Sequence, residues 1–262
     1  MNSWSEALKS FVYPLVTFVV LLIVWQLSIV IFKIPNYVLP DIRDVFSSLW
    51  RGYIGGHYWQ HFAFTVRAML TGYVVGSLAA VVLGIVVAEF KIVERFVFAF
   101  VVALQSVPKV ALAPLVIVWF GFGIESKVVL VALICFFPTF INTIAGFRSV
   151  PPSLIAMMRA FGSSPMRTMM EVKLPHAANS IFSGLQVGVI LGLIGAVVGE
   201  FIASTRGLGY YIQNAANAMD LGGVFAAVIS LAVIGITCTQ ILRWVQRRVV
   251  FWEKGAAVVS EA

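Results

Sequence analysis

Charge is scarce in this chain. Only 11% of its 262 residues are Asp, Glu, Lys or Arg, while 61% are hydrophobic. A soluble domain of this length is about one-quarter charged, so lipid must serve as the solvent for much of the surface. Cysteine is almost missing too. Cys135 and Cys238 each lie inside an apolar run, which argues against a disulfide framework and fits small core side chains. No Gly-x4-Gly-Lys-Ser/Thr loop is present to cradle a nucleotide's phosphates. The chain is therefore expected to be no ATPase, and work across a membrane must draw on a partner or an ion gradient. Neither a nucleophile elbow nor a convincing catalytic pair occurs. The net charge of +7 comes from scattered basic residues. That pattern speaks against nucleic-acid binding and reads better as a topology signal.

Long apolar runs are what the chain has instead. They cover roughly 11–32, 66–89, 96–120, 128–147, 179–203 and 223–245, and each reaches the ~20 residues that a spanning helix needs. The expected fold is all-α: one polytopic membrane helix bundle over 1–262 with six transmembrane helices. The first run follows Lys9 and ends at Phe32-Lys33-Ile34-Pro35. It exceeds the ~7–15 residues of a signal peptide's apolar core and lacks a small-x-small cleavage site, so it reads as a retained span. The third run holds Gln105, Ser106, Pro108, Lys109 and Pro114 and is expected to break near its middle. Broken backbone at membrane depth persists only against protein or along a cavity. Gln105, Pro108 and Lys109 are thus candidate pathway residues, with a plain proline kink as the alternative.

Lysine and arginine counts set the orientation. With a cytoplasmic N-terminus, eleven fall inside, among them Lys9, Arg159, Lys173, Arg243, Arg247, Arg248 and Lys254. Six fall outside, including Lys127 and Arg206. The bias favours both termini in the cytoplasm, with 246–262 as a cytoplasmic tail. Small residues recur every four positions in span two (Gly72, Gly76, Ala80, Gly84, Ala88) and in span five (Gly184, Gly188, Gly192, Ala196). One helix face then carries the whole stripe, and bare backbone there allows close packing of helices, within the chain or across a dimer. Residues 33–65 form a long outer segment with Trp50, Tyr53, Tyr58 and Trp59, which suits an interfacial aromatic belt. His57 and His61 share a helical spacing, but no third ligand accompanies them. They read as interfacial histidines, and no metal site is expected. Glu200 is the one acidic residue well inside an apolar run. It lies near the outer end of span five, where it faces the pathway, or pairs with a basic group near the outer gate, Arg206 or Lys109, or stands in water at the interface.

The inner segment 148–178 is the most informative. Pro151, Pro152 and Ser153 suit a helix start. Leu154, Met157, Met158 and Phe161 then follow i, i+3, i+4, i+7 spacing, one apolar face. Gly162 breaks that helix, Pro165 can begin a second, and Leu174-Pro175 is expected to stop it before span five. Methionines on an exposed apolar face suit a partner's groove, although a lipid surface would also accept them.

The order Gly162, nine residues, Val172-x-Leu174-Pro175 resembles the signature loop of binding-protein-dependent ABC importer permeases. That signature is Glu-Ala-Ala, three residues, Gly, nine residues, Ile-x-Leu-Pro. Here Ala156, Met157 and Met158 stand in the Glu-Ala-Ala positions, so the acidic residue is absent. The resemblance extends over roughly 57–250. Residues 105–123, Phe136-Phe137-Pro138 with Asn142, and Val198-Gly199-Glu200-Phe201 through Gly207-Leu208-Gly209-Tyr210 look like the nitrate/sulfonate/taurine branch.

The resemblance implies a type I importer permease in the bacterial inner membrane. Two copies would form the path, and two cytoplasmic ATPases carrying ATP and magnesium would dock on the coupling loop. A periplasmic or lipid-anchored binding protein would deliver a small solute such as nitrate, a sulfonate or taurine. The permease itself would hold no cofactor. The coupling residues implied are Ala156, Met157, Met158, Arg159, Phe161, Gly162, Val172, Leu174 and Pro175. An ion-gradient-driven secondary transporter is the rival, and the sequence shows no convincing internal repeat in its favour.

Overall fold

A computed structural model describes residues 3–252 of the chain. The expected tail from residue 253 onward, with Lys254, lies outside the described residues. Every regular element among those described is helical, and five helices are long and apolar enough to cross a membrane. The chain groups into two compact units, Met1–Gln60 with Tyr211–Ile229, and His61–Tyr210 with Ser230–Ala262.

The smaller unit begins with α1 (Ser3–Phe32). Within its apolar stretch Val12–Phe32, an 18-residue window has mean hydropathy 2.7, and only 6% of that window is buried inside the protein. Such a helix is solvated by lipid. The Trp25 indole donates to the Pro40 carbonyl at 3.1 Å, and the Gln26 amide donates to Asp41 at 2.7 Å. These bonds fold the following turn back along α1. The segment expected as a long outer loop contains α2 (Ile42–Ile54) and the start of α3 (His57–Glu89). Span two therefore begins nine residues before the expected 66. Gln60, His61 and Arg67 lower the local hydropathy without breaking the helix, because their polarity falls on its first turns.

The larger unit is organised around α6 (Ile124–Arg148), whose buried residues run from Ser126 to Phe147. Both glycine stripes press against it. A Cβ added at Gly76 would lie 2.7 Å from the Cα of Ala132, and one at Gly72 2.6 Å from the Cβ of Val131. On the other side, a Cβ at Gly184 would lie 2.8 Å from the Cβ of Asn142, and one at Gly192 2.6 Å from the Cys135 sulfur. Gly84 and Gly188 meet Thr143 and Thr139 in the same way. The stripes thus seat α3 and α9 (Leu174–Ile202) on one central helix within the chain. Close backbone approach also brings polar groups into reach. The Cys135 thiol donates to the Gly188 carbonyl at 3.1 Å, and the Tyr73 hydroxyl donates to Leu185 O at 3.0 Å. Because the neighbour of Gly76 is backbone, it cannot swing aside. Gly76→Val is expected to cost on the order of 2–3 kcal/mol through overpacking, read as a lowered thermal unfolding midpoint in detergent.

The third expected span is not one helix. It comprises α4 (Lys91–Gln105), a 3-10 turn at Lys109–Leu112 and α5 (Ala113–Phe120). Pro108 has no N–H to continue α4, and its extended backbone (φ −62, ψ 101) ends the helix. Pro114 falls in the first turn of α5, where its missing donor costs nothing.

Candidate functional site

The loop after α6 carries α7 (Pro152–Ala160) and α8 (Pro165–Thr168). Gly162 joins them with φ +71, a left-handed conformation that glycine adopts without strain. Ser164 caps α8, its hydroxyl accepting from the Arg167 N–H at 3.3 Å. The expected stop at Leu174-Pro175 does not occur. The chain passes through a π-helical turn, Met169–Lys173, straight into α9, so Pro165–Ile202 is one helical run. The proline explains the turn: its ring would collide with the carbonyl of Glu171 in a regular α-helix. Widening the ladder there removes the clash while the helix continues.

Charge pairs hold this loop in place. Lys173 meets Glu89, the last residue of α3, at 2.6 Å, Arg148 meets Glu94, and Arg167 meets Glu171 at 2.9 Å. The two halves of the signature then face different ways. Leu174 is half-buried against the cluster of Phe147, Ala177 and Ile181, and Val172 and Pro175 are half-buried. Leu154, Met157, Phe161, Met166 and Met170 are exposed, Phe161 to 83%. Ala156, Arg159 and Gly162 are exposed as well, and Met158 is half-buried. A small cleft of about 240 Å³ between Glu89, Arg159, Ser163 and Lys173 opens beside them.

At the break in the third span, Gln105 and Pro108 are exposed and Lys109 is half-buried. The Lys109 ammonium donates to the Gln105 carbonyl at 2.8 Å and lies 4.5 Å from the centre of the Phe137 ring. In an unbroken helix that carbonyl would receive the Lys109 backbone N–H. The side chain supplies the donor that the break removes.

Glu200 is placed differently from the interfacial and ion-paired expectations. It is fully buried, neither in water nor paired with Arg206 or Lys109. One carboxylate oxygen accepts from the Thr65 hydroxyl at 2.7 Å and the other from the Gly209 N–H at 2.7 Å. Thr65 in turn accepts from the Leu208 N–H at 2.9 Å, and His61 Nδ1 accepts from the Gly207 N–H at 3.2 Å. The turn from the end of α9 to α10 (Leu208–Asn217) is thereby fastened to α3. Gly207, at φ +110, lies directly against the Glu200 carboxylate, where any Cβ would overlap it.

Lys127 was assigned to the outer cations by its place in the sequence, yet it is fully buried. Its ammonium donates to Phe122 O at 2.9 Å, to the Ala203 carbonyl and to the Ser126 hydroxyl. It caps the chain end of α9 beside Glu200. Sequence spacing held one clue to both residues: each charge lies close to the end of a long apolar run.

The chain as a whole has relatives among known proteins. The family described as binding-protein-dependent transport system inner membrane component matches residues 76–251. The chain belongs to that family. The riboflavin transport system permease protein RibX of Chloroflexus aurantiacus is 36% identical over 252 residues, covering 95% of this chain and 94% of that one. The putative aliphatic sulfonates transport permease protein SsuC of Escherichia coli is 32% identical, with 81% of each chain covered. The taurine permease TauC of the same organism is 30% identical over 90% of this chain and 88% of its own. A solved structure of the MetNI methionine ABC transporter in an inward-facing conformation shares the fold. It has a TM-score of 0.58 and 18% identity, over 72% of this chain and 93% of that one. The chain is an integral inner-membrane protein and a permease of the ABC transport class, rather than a secondary transporter.

Proposed function

We propose that two copies of this permease form the membrane path of an ATP-driven importer for a small organic solute. Two ATPase subunits, binding ATP and magnesium, dock on the α7–α8 loop, and a binding protein delivers the solute from the other side. The observation that carries this reading is the loop itself: five large apolar side chains stand in water on a platform braced by ion pairs. Exposed apolar surface on a rigid support suits a partner's groove. The α4–α5 region supports the second copy. Gln105 and Lys109 lie there among exposed Leu104, Val107, Val110 and Trp119, a mixture that lipid tails do not solvate. The reading has both termini in the cytoplasm, which is supported by the burial of Lys127, since it removes a cation from the outer group and widens the inward bias. The binding protein selects the solute; sulfonates, taurine and riboflavin, the solutes named for the relatives, bound the range to be screened.

The test is retention of the ATPase by detergent-solubilised permease with an intact loop. A permease that never retains it contradicts the reading. We place Lys109 at the wall of the path. Lys109→Met is expected to lower ATP-driven uptake while the complex still co-purifies, and unchanged uptake would remove Lys109 from the pathway.

A further inference from the structure

The last span, α11 (Leu221–Val249), ends in an unusual concentration of cations and aromatic rings. Arg243, Arg247 and Arg248 fall within two turns, with Trp244 among them and Phe251 and Trp252 just beyond. No aspartate or glutamate occurs between residues 221 and 252. Among the described residues, none of the three arginines pairs with a carboxylate.

The two sides of this helix end differ. Gln246 is turned inward, donating to Asn179 at 2.8 Å and accepting from Gln186 at 2.5 Å. Leu242 and Val245 are half-buried on the same side. Arg243, Trp244, Arg247 and Arg248 are exposed on the other, away from the rest of their unit. There Gln240, Ile241, Arg243, Trp244 and Arg247 line an open cleft of about 390 Å³. The Arg248 guanidinium lies 5.3 Å from the centre of the Trp244 ring.

We propose that this cleft binds the headgroup of an anionic phospholipid. The helix is 29 residues long and holds an 18-residue stretch of mean hydropathy 2.3, so its end comes to the membrane boundary, where tryptophan rings settle. Two arginines one turn apart offer paired donors to a phosphate. Ile241 and Trp244 offer an apolar floor for the start of an acyl chain. A soluble phosphate would satisfy the arginines and leave that floor empty, so the mixed lining favours a lipid. The contacts of α9 with Gln246 put the site on the same end of the unit as the coupling loop, beside an anionic leaflet.

The test uses the full chain in detergent with added phosphatidylglycerol, phosphatidylcholine or glycerol 1-phosphate. Phosphatidylglycerol is expected to raise the thermal midpoint clearly more than phosphatidylcholine, and glycerol 1-phosphate is expected to do nothing. The double variant Arg243→Gln/Arg247→Gln loses the difference between the lipids, while Arg243→Lys/Arg247→Lys keeps part of it. Equal stabilisation by both lipids, an equal effect of glycerol 1-phosphate, or an unaltered difference in the glutamine variant would overturn the proposal. Should that variant fail to fold, a photoactivatable phosphatidylglycerol is applied to the wild-type chain. Cross-linking to the peptide containing Arg243–Trp252 supports the site, and cross-linking elsewhere alone refutes it.

Discussion

Glu200→Ala is expected to destabilise the permease by roughly 3–5 kcal/mol, whereas Glu200→Gln costs only about 1 kcal/mol. The difference follows from what the carboxylate touches. It is fully buried and accepts from the Thr65 hydroxyl and the Gly209 N–H. Alanine leaves the Gly209 N–H without an acceptor in a buried site, at about 1–3 kcal/mol, removes the carboxylate beside the buried Lys127 ammonium, and opens a cavity as well. Glutamine can present its carbonyl to Gly209 and its amide N–H to the Thr65 oxygen. The Thr65 hydroxyl then turns to the His61 carbonyl, which already lies 3.2 Å away. A domain stable by about 5–15 kcal/mol would feel the alanine change as a large fall in its unfolding midpoint. Equal losses in the two variants would mean that the negative charge beside Lys127, rather than the hydrogen bonds, holds the turn.

Phe161→Asp is expected to weaken retention of the ATPase by roughly 30-fold or more, about 2 kcal/mol or more, with little change in the stability of the permease alone. Phe161 is 83% exposed, so the fold does not depend on it. Its ring, with Leu154 and Met157 on the neighbouring helix, forms the apolar part of the loop that stands in water. Burying an aspartate there would strand a charge. Leu174→Asp makes the contrast, because Leu174 packs inward against Phe147, Ala177 and Ile181. It should damage the permease before any partner is added. Co-purification at unchanged yield from Phe161→Asp would show that the exposed face is not where the ATPase docks.

Much of this arrangement could be read from residue order. Apolar runs marked the spans, and Pro108 and Pro114 marked the break in the third, because proline acts on the backbone locally. Gly162 and Pro165 marked the bend between the loop helices for the same reason. The four-residue glycine spacing marked packed faces but could not name the partner, since α6 has no matching stripe of its own. The π turn before Pro175 was missed because a proline stops a regular helix, and only a widened ladder lets the helix pass it. Lys127 and Glu200 were misplaced for a different reason. Hydropathy assigns a charge near the end of a run to water. Beside the Thr65 and Ser126 hydroxyls, their partners are backbone groups of Phe122, Ala203 and Gly209, which no residue identity announces.

The most direct measurement is uptake by proteoliposomes that contain the permease, its ATPase and its binding protein with a loaded solute. Solute should enter only with ATP and magnesium, and uptake should fall sharply with Phe161→Asp. Uptake by the permease alone, driven by a proton or sodium gradient and indifferent to that substitution, would contradict the role assigned to the loop.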